Sequence, residues 1–358
     1  MSTPSQPVPA ALAPIPRPLQ LGLFFVGCLW LIASGRAAEF LSLAFVTVLN
    51  IPAIQPLLEQ LLLLVLLLGG FWLLSWTSIR SRSLREVNAL PRRATAGEEW
   101  LRGAALGWAM LLAAVIPIVL AGDLHPQFWM QPRAWWMALI SLLTVAVGTL
   151  TLEVAYRGYL YTKLIATFHP VAATALMATL YAIVFGFHDS ANLWSTLTTF
   201  LMGILLSIAY LRTHGLWLGW GLHFAWLAAM GLVFGLPVPG YSSLTSLVAT
   251  DVSGSPWFTG GVYGPERAFF TFIVVLAAIP VLYRITRGYA WDYTHSPIVA
   301  AGRPMEIQPP AAHTAMEAAA APAPLVQILG ATPTNPSTMP VIEEHLRSAA
   351  TSPGENGE

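Results

Sequence analysis

Residues 56–76 read PLLEQLLLLVLLLGGFWLLSW, a run of twenty-one residues whose one charge is Glu59. A bilayer core about 30 Å thick needs roughly 20 apolar helical residues, so this run is long enough to cross one. Glu59 and Gln60 stand near one end, where snorkelling toward the polar interface relieves their cost. Comparable windows recur near 19–34, 102–121, 135–156, 171–188, 194–212, 215–236 and 268–284. The expectation is an all-α, polytopic integral membrane protein with about eight transmembrane helices. Residues 40–50 are also apolar, but the run is short and Pro52 follows. It reads as a re-entrant or interfacial piece and not a further span.

Composition agrees. Of 358 residues, 56% are hydrophobic and 9% charged, where a soluble domain carries about 25% charged residues. Seventeen Lys and Arg balance seventeen Asp and Glu, and without a basic stripe the chain is excluded from nucleic-acid binding. Cys28 is the single cysteine, so an internal disulfide and a cysteine-built metal site are ruled out.

Basic residues set the expected topology. Arg80, Arg82, Arg85, Arg92 and Arg93 follow the second window, Arg157 and Lys163 the fourth, Arg212 the sixth, Arg284 and Arg287 the eighth. In an eight-span arrangement all fall on one side. Both termini are then cytoplasmic, in what reads as a bacterial inner (plasma) membrane. Residues 1–18 form a flexible Pro-rich tail, 19–294 the transmembrane domain and 295–358 a disordered Ala/Pro-rich cytoplasmic tail. Paired halves with Gly- or Pro-broken helices, which would suggest a transporter, are not found.

An ionisable side chain at bilayer depth costs on the order of 3 kcal/mol on insertion scales, so each is a functional candidate. Glu153 and Arg157 stand four apart with the acid first, the favourable order for an ion pair on one helix face. They read either as a pair that fixes helix packing or as a carboxylate kept ionised for proton transfer. His188, in Val184-Phe-Gly-Phe-His188, and His223, in Gly221-Leu-His-Phe-Ala-Trp226, add two imidazoles on two further helices. Counting 1.5 Å per residue from a turn at 168–170, Glu153 and His188 come out about 24 and 28 Å from it, a shared depth. His223 joins them only if residues 157–168 leave the bilayer or tilt along its surface.

These motifs resemble the CPBP intramembrane proteases, the group that includes the CAAX prenyl-protein endopeptidases and bacterial proteins linked to bacteriocin processing or immunity. That family's pattern is Glu-Glu-x-x-x-Arg, then Phe-x-x-x-His, then His-x-x-x-Asn. Glu153-Val-Ala-Tyr-Arg157, the His188 segment and His223-Phe-Ala-Trp226 are similar to the three in order. Phe234-Gly-Leu-Pro-Val-Pro-Gly240 and Thr259-Gly-Gly-Val-Tyr-Gly-Pro-Glu266 resemble one bacterial branch, and the likeness covers about 100–285. It implies an endopeptidase in the membrane, acting on a membrane protein or peptide, in which a glutamate and the first histidine activate water while the last histidine and the asparagine stabilise the oxyanion. Glu153, Arg157, His188 and His223 are the implied site residues. The family's zinc alternative would use His188, His223 and Glu153 as ligands; the sequence holds no His-Glu-x-x-His.

Three departures stand out. Leu152 occupies the first glutamate position and Leu227 the asparagine position. His188 follows Phe185 by three residues, not four, which places Asp189 in the histidine position if Phe185 sets the register, or Val184 in the phenylalanine position if His188 does. A one-residue slip turns a side chain about 100° around a helix. Asn192 keeps the spacing from Phe185 seen in that branch. Two readings therefore stay open: an endopeptidase with lost or reduced activity, and a non-catalytic membrane scaffold that binds peptides or partners through the same cavity.

Overall fold

Pro16 and Pro18 set the entry of the first helix, α1 (Arg17–Leu49), and Asn50, at φ 53°, ends it in the left-handed conformation. Proline suits a helix's first turn and asparagine tolerates that exit. The computed structural model describes residues 15–76, 83–121, 123–188, 191–241 and 244–289. Residues 1–14 and 295–358 of the expected tails, and Asp189, lie outside these. In chain order there follow α2 (Gln55–Trp76), α3 (Leu84–Val87), α4 (Ala96–Leu120), β1 (Leu124–Phe128), α5 (Pro132–Arg157), α6 (Tyr159–Thr167) and α7 (Pro170–Gly186). Then come α8 (Leu193–Thr213), α9 (Trp217–Ala228), β2 (Val248–Val252), α10 (Pro256–Thr259) and α11 (Phe269–Ile285).

Among the described residues five helices are long and apolar enough to cross a membrane: Arg17–Leu49, Pro52–Trp76, Ala96–Leu120, Pro132–Thr167 and Leu193–Thr213. Pro170–Gly186, Trp217–Val233 and Phe269–Ile285 are shorter apolar helices. They lie where the hydropathy windows placed them, with one correction. Residues 40–50 are neither re-entrant nor separate but the last third of α1. Gly35 does not break the helix, Arg36 and Glu39 pair across one turn at 3.0 Å, and Pro52 falls just beyond the end, where it bounds the helix without interrupting it.

A second correction concerns the basic residues. Arg157 and Lys163 do not sit in a loop. Arg157 ends α5 fully buried, and Lys163 lies in α6 with its ammonium 4.9 Å from the centre of the Tyr159 ring. A third addition is β-structure: β1 and β2 pair antiparallel, from Leu124 opposite Val252 to Phe128 opposite Val248. This ribbon joins the α4–α5 and α9–α11 connections at one end of the helices.

Glycines bring α4 and α9 into backbone contact. A Cβ on Gly103 would lie 2.0 Å from the Leu218 carbonyl oxygen, one on Gly107 2.3 Å from that of Leu222, and one on Gly221 2.0 Å from that of Trp100. Gly103 and Gly107 are four apart, the small-xxx-small spacing that lets apolar helices approach closely where lipid offers no hydrophobic drive between them. Leu106, Leu111, Val145, Leu205, Leu222 and Trp226 form one apolar cluster around this contact; Phe71, Tyr159, Leu160, Tyr161 and Met177 centre a second under α1 and α2. Outward-facing Phe25, Leu29, Ile32, Phe40, Leu120 and Val171 are exposed, as a lipid-facing surface requires.

Candidate active site

The break between α5 and α6 builds the site. Gly158 adopts φ −81° and ψ −123°, outside the helical region, and a Cβ there would lie 2.4 Å from the Val154 carbonyl oxygen. The helix therefore ends at Arg157 inside the bundle, and α6 leaves in a new direction. The guanidinium donates from Nη1 to Glu153 Oε1 at 3.3 Å and from Nη2 to the Gly203 carbonyl at 3.5 Å. It also lies 4.7 Å from the centre of the Tyr181 ring.

His223 reaches the same carboxylate from the middle of α9. Its Nδ1 lies 2.8 Å from Glu153 Oε1, with both side chains buried. A carboxylate accepts and does not donate, so Nδ1 carries the proton and Nε2 is left to face away from Glu153. The other carboxylate oxygen, Oε2, is buried with no hydrogen-bond partner. It lies against Gly219, where a Cβ would come within 3.2 Å of it.

Beyond His223 lies a small cavity of ≈ 20 Å³, room for about one water molecule. Its wall includes His223, Glu266, Thr198, Trp226, Leu152 and Leu227. Glu153 and Arg157 are not in that wall, so they act on the cavity through His223. Gly219, His223, Trp226 and Leu227 stand three or four apart on α9 and share one face. A wider cavity of ≈ 1080 Å³ lies alongside, walled by the β2 ribbon, Arg133, His188, Asp251 and Tyr263. Pro239 and Tyr241 belong to both walls.

The four residues singled out from sequence are thus divided. Glu153, Arg157 and His223 meet; His188 does not join them. It follows the end of α7, donates from Nδ1 to the Phe185 carbonyl at 3.2 Å, stacks on the Phe185 ring at 5.3 Å and faces the wider cavity. Phe185 packs on Tyr181 at 4.7 Å and lines the small cavity, whereas Val184 is exposed, so Phe185 sets the register and His188 comes one residue early. Among the described residues no group of three His, Cys, Asp or Glu side chains could hold a metal ion. The zinc set of Glu153, His188 and His223 is not assembled, and no chemical step is derived through a metal. Asn192 acts locally, its side chain accepting from the Ser195 backbone to cap α8.

Two side chains at the cavity escaped the sequence reading. Glu266 accepts from Trp226 Nε1 at 2.7 Å, and Thr198 is buried with its hydroxyl unpartnered. The signals for Glu266 were its place at the end of the Thr259–Glu266 stretch and directly before the last apolar helix. Thr198 had none.

Residues 132–236 match the family model described as Type II CAAX prenyl endopeptidase Rce1-like. The matched segment runs from the start of α5 past α9 and holds Glu153, Arg157, His188 and His223, so the CPBP resemblance is a match of the helices that build the site. No curated protein and no solved structure matches the chain. Over those residues the chain is similar to that family, and its long apolar helices suit an integral membrane protein.

Proposed function

We propose that this Rce1-like membrane protein is an endopeptidase that hydrolyses a peptide bond presented from the lipid, with His223 as the group that faces the reacting atoms. The carrying observation is the 2.8 Å contact between His223 Nδ1 and Glu153 Oε1, made by a residue that also lines a cavity of one water's size. A carboxylate on one ring nitrogen fixes tautomer and orientation and strengthens the other nitrogen as a base. Neutral, Nε2 accepts from a water; protonated, it donates to the oxyanion formed when that water attacks the carbonyl. Glu153 orients His223, and Arg157 holds Glu153. The wider cavity is of the size that receives a ligand segment, and its shared wall at Pro239 and Tyr241 leads to the small one.

Leu152 and Leu227 in the small cavity's wall favour a second reading, a non-catalytic scaffold that binds a membrane peptide. The full chain in phosphatidylethanolamine and phosphatidylglycerol vesicles, given a peptide with a prenylated cysteine near its C-terminus and a set of single-span peptides, separates the two. The peptidase reading expects cleavage that His223→Ala removes. Saturable binding with no product from any peptide would establish the scaffold instead. The eight-span arrangement with both termini in the cytoplasm of a bacterium rests on Arg85, Arg92, Arg93, Arg284 and Arg287. It expects a cysteine introduced at Ser253 to react with an impermeant reagent outside spheroplasts and one at Arg85 to be protected.

A further inference from the structure

The small cavity holds more polar chemistry than the three motifs explain. Glu153 is occupied by Arg157 and His223 and lies behind the wall. Leu152, in the position of the missing family glutamate, reaches the cavity with a hydrocarbon side chain. Among the described residues the carboxylate in its wall is Glu266, carried by the turn Pro265–Arg267 just ahead of α11. Trp226 fixes one of its oxygens at 2.7 Å, which leaves the other for the cavity. Glu266 and His223 share the wall of this cavity. Across the cavity, the Thr198 hydroxyl is buried and unpartnered. A buried hydroxyl without a partner in a cavity of one water's size marks a water position, since such groups are seldom left unsatisfied.

We propose that Glu266 is the water-activating carboxylate of this site, with the Thr198 hydroxyl holding the same water. This assignment rests on the peptidase reading above and names its missing base. The water's proton passes to the Glu266 carboxylate as the water oxygen bonds to the peptide carbonyl carbon. His223 enters this step doubly protonated, with Nδ1–H held by Glu153, and donates from Nε2 to the resulting oxyanion, keeping its proton throughout. As the C–N bond breaks, Glu266 returns the proton to the leaving nitrogen, giving a carboxylic acid and an amine with the carboxylate regenerated. Burial pushes the Glu266 carboxyl up from its ordinary value of 4.5, against the Trp226 hydrogen bond and the two histidines. A base raised toward the working pH is the stronger catalyst. Trp226 thereby acquires a positioning role, three residues after His223 on the same face of α9.

The test uses the full chain in vesicles with the same prenylated and single-span peptides. Glu266→Gln keeps size and an acceptor for the Trp226 indole, which Trp fluorescence and the thermal midpoint verify. It is expected to lower kcat by about 10²- to 10⁴-fold with KM unchanged. Glu266→Asp keeps a base and is expected to retain cleavage with its acid limb displaced; a merely structural role would leave that limb where it was. Leu152→Glu with Glu266→Gln moves the carboxylate to the other wall and is expected to recover part of the loss. Parent-level cleavage by Glu266→Gln overturns the assignment and leaves the peptidase reading standing. An inactive parent that Leu152→Glu activates also overturns it, returning the base to position 152. Absence of cleavage from parent and Leu152→Glu alike ends the peptidase reading, and this assignment with it.

Discussion

Among the described residues, two buried glutamates pair with arginines, and the pairs are built differently. At the connection leading into α4, Glu99 accepts from Arg93 at 2.5 Å on one oxygen and from Thr95 at 2.8 Å on the other. Arg93 also donates to the Thr213 carbonyl at 2.7 Å. Every oxygen of that carboxylate has a partner, and the pair ties the start of α4 to the end of α8. In the site, Glu153 gathers both Arg157 and His223 on one oxygen while the other is buried without a partner. A carboxylate with both oxygens partnered serves rigidity. One with an oxygen left over and an imidazole turned toward a cavity has capacity for chemistry.

The largest effects come from removing either carboxylate. Glu153→Ala leaves Arg157 buried and uncompensated, at a cost of about 3–5 kcal/mol, and frees His223 to rotate, so cleavage is lost as well. Glu99→Ala is expected to cost less, because Arg93 is part exposed, while cleavage per folded molecule stays at the parent value. Thermal unfolding in lipid nanodiscs and turnover normalised to folded protein separate the two. Equal losses of normalised turnover would erase the distinction between clamp and site.

Glycine substitutions sharpen the same contrast at smaller scale. Gly103→Ala drives a Cβ to 2.0 Å from the Leu218 carbonyl oxygen, so α4 and α9 must separate, at about 1–3 kcal/mol for overpacking. Gly219→Ala places its Cβ 3.2 Å from Glu153 Oε2 and is expected to cost under about 1 kcal/mol yet lower turnover by tilting the carboxylate. A Gly219→Ala chain with parent turnover would show that Glu153's placement is not tightly required.

The smallest effect lies at the clamp's edge. His214, in the connection between α8 and α9, has a partly buried ring, and burial together with nearby Arg93 holds its pKa below the ordinary 6.5. The folded state therefore binds fewer protons there than the unfolded one, and stability falls as pH drops through 6.5 toward the folded value. His214→Asn, which tolerates the φ of 48°, is expected to remove that slope. A gap between variant and parent midpoints that does not change with pH would refute it.

Much of the fold was legible because spanning helices announce themselves by length and hydropathy. The stretch at 40–50 misleads because Pro52 suggests a cut in a helix that it only follows. The ribbon was hidden: β1 is Leu-His-Pro-Gln-Phe, with a proline inside, and its partner lies far along the chain, so no local alternation betrays it. The α4–α9 contact was written in Gly103 and Gly107, but its consequence needs the facing backbone.

Sequence alone determined the membrane character, the order of the helices and the meeting of Glu153 with Arg157, because hydropathy and the spacing of four are properties of a single helix. It also exposed the leucines at 152 and 227. Only the tertiary structure decided that His223 joins Glu153 and His188 does not. It decided equally that the carboxylate reaching the cavity is Glu266. Those outcomes depend on where α5 breaks at Gly158, on His188 falling past the end of α7 to face the wider cavity, and on a turn packed against α8. None of these is a property of the local sequence.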